Sequence, residues 1–468
     1  MIMKKTFMNS RIFIFTVALI GFGLSSCDKM IETPPPNEVP ISDAVKSADD
    51  LQRLLNGSYN EVANLHGGFS EMMAEMLSDN LSLPNNNDLK EVYNHNVLFF
   101  NSTTGGYYSM IYRSIFRANF VQSKIDEVSG LSGTEKDRIL GEVAFIRALG
   151  HFTAVRMFAQ PYGFTADNSH AGIAIQRQVT TQPMPRESVG AAYAAIIADL
   201  TLSESKLPDT RSADTLGAAY PTKWAAKALL ANVYFQMGDY AKAGQYANDV
   251  IESKNYTFSD TVNLFDPKGY SEHIFAVVSN GIKDKRSGGF SDNYSPGVPT
   301  CQMDKALWAS LKNNITDKRL GMLSIINPGA QNEFVKTNQF NAQFFNVPVL
   351  HLTQMMLIRA ESYVMTNSNI AQAITDINAI IKRAYSDNSK MVTSGISNSA
   401  LLDVIRSERR VEMLFQGDRI HEVKRLGAIE KQNLYVHGHP WNCSGIILQF
   451  PITEKTSIFD INPTGGCN

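Results

Sequence analysis

Apolar residues recur every three or four positions through most of the chain, the spacing that lays one oily stripe along an α-helix. Stretches 43–61 and 68–80 follow this spacing, as does 107–128 through Ile111, Ile115, Ala118, Val121, Ile125 and Val128. A helix is predicted over 134–158, opened by a Thr134-x-x-Asp137 capping pair, and another over 188–205. Between them, the asparagine-rich LPNNNDLKEVYNHN (83–96) and the stretch 161–185 read as loop.

An internal repeat sharpens this helical reading. In PTKWAAKALLANVYFQMGDYAKAGQYANDVIE (221–252), Ala231-x-x-Tyr234 followed by Gly238-Asp239-Tyr240 and Ala243 matches the tetratricopeptide pattern. Small Ala231 and Ala243 let two antiparallel helices approach, Gly238 turns the chain, and the tyrosines fill the seam. A weaker copy follows at 357–384, with Ala360-x-x-Tyr363 and Ala373 one residue late. Two copies do not make a free-standing array, because repeats need neighbours to bury their faces. The fold class predicted is mainly α-helical: tetratricopeptide-like helix pairs form a scaffold, with long irregular loops and a few short strands. The loops concentrate at 256–345, rich in Gly, Asn, Asp and Pro, where only HIFAVVS and QFNAQFFNVPVL look strand-like. Long loops on a helical scaffold commonly carry binding.

The N-terminus departs from this texture. Lys4, Lys5 and Arg11 precede an apolar run, IFIFTVALIGFGL, and no acid occurs before Cys27. Thirteen residues span about 20 Å as a helix, short of a hydrocarbon core of roughly 30 Å. Residues 1–26 therefore read as a signal peptide. Leu24-Ser25-Ser26-Cys27 at its end resembles the bacterial lipobox, which makes Cys27 the lipidated first residue of the mature chain. Residues 27–40, with Pro34, Pro35, Pro36 and Pro40, read as an extended tether. The rest divides into 41–255, carrying the helix pair, and 256–468, carrying the loop-rich insertion, within one body.

Charge excludes one class of partner. Removing three basic residues with the signal peptide leaves 40 basic and 45 acidic, a net charge of −5. No basic cluster suits nucleic acid. Cys301, Cys443 and Cys467 accompany Cys27; a Cys443–Cys467 disulfide is left open, since sequence does not fix connectivity.

Candidate catalytic chemistry is thin. Glu71, Glu75 and Asp79 fall at i, i+4 and i+8 and read as a solvated helix face, because paired carboxylates that cleave glycosides straddle a substrate. His437, His439 and Cys443 match no zinc template, so no metal and no cofactor are expected. GxSxG, Walker A and dinucleotide glycine patterns are absent from the sequence. The charge-dense 406–425 reads as a structural ion-pair network.

Three further segments carry a resemblance. GEVAFIRALGHFTAVRMFAQP (141–161), LIRAESY (357–363) with RSERRVEMLFQGDRIHEVKRLG (406–427), and FPITEKTSIFDINPTGG (450–466) are similar, in order and spacing, to the SusD/RagB surface lipoproteins of Bacteroidetes. Gln416 stands where that family commonly has glutamate, and His421-Glu422 where an aromatic and an aspartate are usual. The resemblance implies a lipid-anchored outer-membrane protein facing the exterior and no enzyme. It would bind a nutrient, an oligosaccharide first, and deliver it to a TonB-dependent SusC-like transporter. A peptide ligand, a lid without ligand preference and a surface glycoside hydrolase are the alternatives. Sugars are held by aromatic rings under their apolar faces and by amides and carboxylates on their hydroxyls. Loops 85–108 and 283–308 supply that chemistry, nominating Tyr93, Asn94 and Phe99, then Phe290, Asn293, Tyr294 and Trp308, with Trp441 in the C-terminal turn. The competing role for each ring is to pin its loop to the helices.

Overall fold

A computed structural model describes residues 45–211 and 217–467. The signal peptide, Cys27 and the tether lie outside the described residues.

Helices α1 (Ala48–His66), α2 (Phe69–Met76), α3 (Asn87–Tyr93), α4 (Ser102–Lys124), α5 (Gly133–Phe158), α6 (Val189–Lys206), α7 (Lys223–Met237) and α8 (Tyr240–Glu252) occupy the first half. The insertion holds α9 (Gly288–Tyr294) and α10 (Lys305–Leu311), and then come α11 (Leu352–Met365), α12 (Ile370–Ala384), α13 (Asn398–Glu412) and α14 (Arg419–Glu430). The long helices stack as neighbours in the order α1, α4, α5, α6, α7, α8, α11, α12. The two repeat copies pack on each other. At Gly244 of α8 an added Cβ would stand 3.0 Å from Ser362 Cβ of α11. Gly238 closes α7 at φ +75°, and a Cβ there would meet Ile429 at 2.6 Å, so conformation and space both demand glycine.

Boundaries differ from the sequence reading where side chains cap backbone. Ser132 and Glu135, not Thr134 and Asp137, form the reciprocal capping box of α5. The predicted loop at 83–96 contains α3, because Asn86 accepts from Leu89 N while Leu89 and Val92 are buried. Helix α4 begins at Ser102, where Asn101 accepts from Thr104 N.

Six short strands form three antiparallel pairs among the described residues: β1 (His273–Val277) with β4 (Val347–His351), β2 (Leu323–Ile326) with β3 (Phe334–Thr337), and β5 (Tyr435–Val436) with β6 (His439–Pro440). Strand β1 is buried throughout, and its Phe275 meets Phe145 of α5 edge-on at 4.9 Å. Phe158 and Phe450 likewise pack at 5.2 Å. One core thus draws on residues from both sides of position 256.

The charges of 406–425 hold elements together. Arg406 and Arg425 share the fully buried Glu361, each at 2.9 Å, and Arg409 is bidentate on Asp418 at 2.6 and 2.7 Å. Arg319 joins Asp317, Glu408 and Glu412. The carboxylate row is not a solvated face. Helix α2 ends at Met76, and Glu75 is fully buried, accepting from Gly417 N at 2.8 Å and Asn80 Nδ2 at 2.9 Å. Burial pushes its pKa up to about 7. The spacing rule failed because α14 and the turn before it cover this face.

Candidate functional site

Chain connectivity brings three separate segments to one place. After α2 the backbone runs alongside 302–304: Ser82 N donates to Gln302 O at 2.8 Å, and Asp304 N to Asn80 O at 2.8 Å. Met303 N in turn donates to Val335 O of β3. Loop 80–96 and the start of α10 are therefore stitched together by backbone.

The third segment is the β5–β6 hairpin. His437 and Gly438 have φ of +51° and +82°, the two positive values that a tight hairpin turn with the strand twist requires. This turn lays the His437 ring on Tyr93, with centroids 3.8 Å apart and planes 25° off parallel. His437 Nδ1 donates to Tyr93 O at 2.8 Å. Beneath them His95, itself at φ +53°, turns its ring inward and is fully buried. Its Nε2 lies 3.0 Å from Leu77 O, so its partners assign the proton there, and Nδ1 accepts from His439 Nδ1 at 3.1 Å. Burial lowers the His95 pKa to about 4, which keeps its ring neutral. Burial, then the Asp304 carboxylate, raises the Tyr93 phenol above its usual range.

A disulfide locks the floor. Cys443 and Cys467 are bonded, with Cα atoms 5.2 Å apart, and Cys467 N donates to His95 O at 3.1 Å. Their sulfurs and a His95 nitrogen lie within 4.8 Å of one another. As a disulfide the pair offers no thiolate for a metal.

The nominated residues separate into two groups. Tyr93 is half-buried and Asn94 exposed at the end of α3. Trp308 is half-buried on α10, one turn beyond Asp304. Phe99 lies further along, edge-on to exposed Phe100 at 5.0 Å. Trp441 keeps different company: a Cβ on Gly427 would stand 2.3 Å from its indole, and Phe164 meets it edge-on. Asn293 spends its amide on Gly289 O at 2.8 Å. Phe290 and Tyr294 are corrections, since both have no exposed surface and offer no ring face to a ligand. Helix α9 rests on the α1–α2 turn so closely that a Cβ on Gly68 would stand 2.4 Å from Phe290 N. Phe290 then stacks on Phe340 at 4.3 Å, and Tyr294 packs between Phe340 and Phe415. Sequence reading missed the His437–Tyr93 stack. Its one local signal was His-Gly between two short β-like pairs, a hairpin pattern.

Known proteins share this architecture. A family model described as "Starch-binding associating with outer membrane" matches residues 30–235, and one described as "SusD family" matches 331–442. SusD-like protein P2 of Formosa agariphila is 23% identical, with 88% of this chain and 90% of that protein aligned. The starch-binding protein SusD of Bacteroides thetaiotaomicron is 26% identical over 35% of this chain and 29% of its own length. Among solved structures, a SusD superfamily protein of B. thetaiotaomicron superposes with a TM-score of 0.75 at 22% identity, over 89% of this chain and all of that one. A laminarin-binding SusD-like protein does so at 0.70 and 19% identity, over 90% and 100%. Two family models that meet the chain in its first and second halves, on a shared helical fold, make this protein a member of the SusD/RagB family.

Proposed function

We propose that this protein is a lipid-anchored outer-membrane lipoprotein that binds an oligosaccharide at its surface and hands it to a TonB-dependent SusC-like transporter. The observation that carries the binding site is the meeting of loop 80–96, the start of α10 and the β5–β6 hairpin at one half-buried tyrosine. Tyr93 offers a ring for an apolar sugar face, and Asp304 and exposed Asn94 offer acceptors and a donor for hydroxyls. Trp308 borders the same segment. The relatives described as starch-binding and laminarin-binding support a glucan. The role is binding and delivery, without bond cleavage.

Titration calorimetry with maltohexaose and laminarihexaose tests this. Tyr93→Ala combined with His437→Ala removes the ring and its support; at about 0.5–1.5 kcal/mol per aromatic contact, affinity is expected to fall about tenfold or more. Circular dichroism establishes that the variant is folded. Equal affinity in variant and wild type places the ligand elsewhere, and failure of wild type to bind either glucan rejects the glucan reading.

Anchoring is proposed at Cys27. No helix among the described residues is long and apolar enough to cross a membrane. Labelled palmitate is expected to enter the wild-type chain and not Cys27→Ser, which should appear in the soluble fraction. An unlabelled wild type rules the anchor out.

A further inference from the structure

On the insertion, residues 263–270, 278–279 and 338–346, which include no member of the Tyr93 stack, line a groove of about 600 Å³. That volume lies in the range of small-molecule sites. Two rings line it. Phe344 is 40% exposed although its neighbour Phe345 is buried, and Tyr270 is half-buried. Around them stand the amides of Gln339 and Asn346 and the carboxylate of Asp266. Among the described residues the Gln339 side-chain amide and Asn346 Nδ2 make no hydrogen bond within the protein. The lining contains no lysine and no arginine.

The groove is built rigidly. Its walls continue the β1–β4 pair: Ser279 N donates to Asn346 Oδ1 at 3.1 Å, and Ser279 Oγ to Phe345 O at 2.9 Å. Asn346 N donates to the Tyr270 hydroxyl at 2.9 Å, so one wall sets the other's ring. Tyr270 sits on a 3-10 turn, Pro267–Glu272, opened by Asp266 accepting from Lys268 N at 3.0 Å. The turn ends at fully buried Glu272, which accepts from Arg383 at 2.6 Å and Thr353 N at 3.0 Å. Burying that acid fixes the turn to α11 and α12.

From this we infer a second carbohydrate subsite, in which a pyranose face lies on Phe344 while Gln339, Asn346 and Asp266 take its hydroxyls. It rests on the reading that the ligand is a glycan. Exposed aromatic area, unengaged amides and one carboxylate match neutral sugar chemistry. A peptide's terminal carboxylate would find no cation here. The rigid frame spares the ordering cost that mobile loops impose on binding.

Diffraction from crystals of the full chain in molar glucose tests this directly, with triglycine in a parallel soak. A pyranose ring on Phe344 is expected, whether or not another occupies the Tyr93 site; the two sites are scored separately, so one reading can fail alone. In solution, laminaritriose binding should persist weakly in the Tyr93→Ala/His437→Ala variant. Adding Phe344→Ala, an exposed change that leaves the fold intact, should lower the remaining affinity at least fivefold. No sugar in the groove, triglycine there instead of glucose, or identical laminaritriose binding with and without Phe344→Ala overturns the inference.

Discussion

Arg319→Met is expected to destabilise the protein by about 3–5 kcal/mol, the usual consequence of stranding buried carboxylates. Arg319 is nearly fully buried and donates to Asp317 at 2.7 and 2.9 Å and to the Tyr385 hydroxyl at 3.0 Å. It also pairs with Glu408 at 2.8 Å and Glu412 at 2.9 Å. Burial by itself would lower its pKa, but Glu412, Asp317 and Glu408 outweigh this and hold the guanidinium charged. Methionine keeps the stem's volume and removes only the charge and donors. Arg383 still reaches Glu412 at 2.7 Å, so the losses fall on Asp317 and Glu408. The pH dependence has a definite sign. Burial raises the Glu408 carboxyl above its ordinary value and Arg319 opposes this, so without Arg319 the stability that Glu408 contributes is present at low pH and lost as pH rises through its folded value. The deficit should therefore be smaller near about pH 5 than near about pH 8. Urea unfolding at both values measures it; a deficit under about 1 kcal/mol at the higher pH would mean that water reaches these acids.

Replacing Cys443 and Cys467 by serine is expected to cost about 3 kcal/mol, since the bond closes a loop across 24 positions. The loss should reach the ligand site. Cys467 N holds His95 O, and a Cβ on Gly445 would lie 1.8 Å from that same oxygen, so the C-terminal strap is pressed onto the His95 peptide. His95 in turn positions His439 on the hairpin that supports Tyr93. Lower glucan affinity should thus accompany the lower unfolding midpoint. A double-serine variant as stable as wild type would show that hydrogen bonds alone hold the strap, among them Gln449 to Asn462 O at 2.7 Å.

Legibility of this chain divides by the range of the interactions involved. The 3.6-residue period, the glycine turn at 238 and the small residues between α7 and α8 are local facts, and they specified a helical scaffold and its repeat before any contact was known. The charged stretch 406–425 was also legible as structural, because dense charge of both signs on neighbouring turns has to find partners. Its partners were not: Glu361 and Asp79 come from other elements, and Asp79 from the far end of the chain.

The candidate site was legible only in part. Loops 85–108 and 283–308 carried suitable residue types, and the Leu81–Met303 bridge ties the segment just before the first to the second. Composition marked Phe290 and Tyr294 as it marked Tyr93, yet the first two are core and the third is not. Phe344 and Tyr270, in equally irregular sequence, line a groove. An aromatic ring gains free energy by leaving water wherever a surface accepts it, so its own neighbours in sequence do not decide its fate. The sequence by itself determined the helical class, the repeat and the family resemblance, because backbone periodicity and turn chemistry are written in adjacent residues. The tertiary structure alone decided which rings meet solvent, which acids are buried and which cysteines pair. Those outcomes depend on partners brought from distant positions, such as Phe340 and Phe415 closing over Tyr294, and Gly417 capping Glu75.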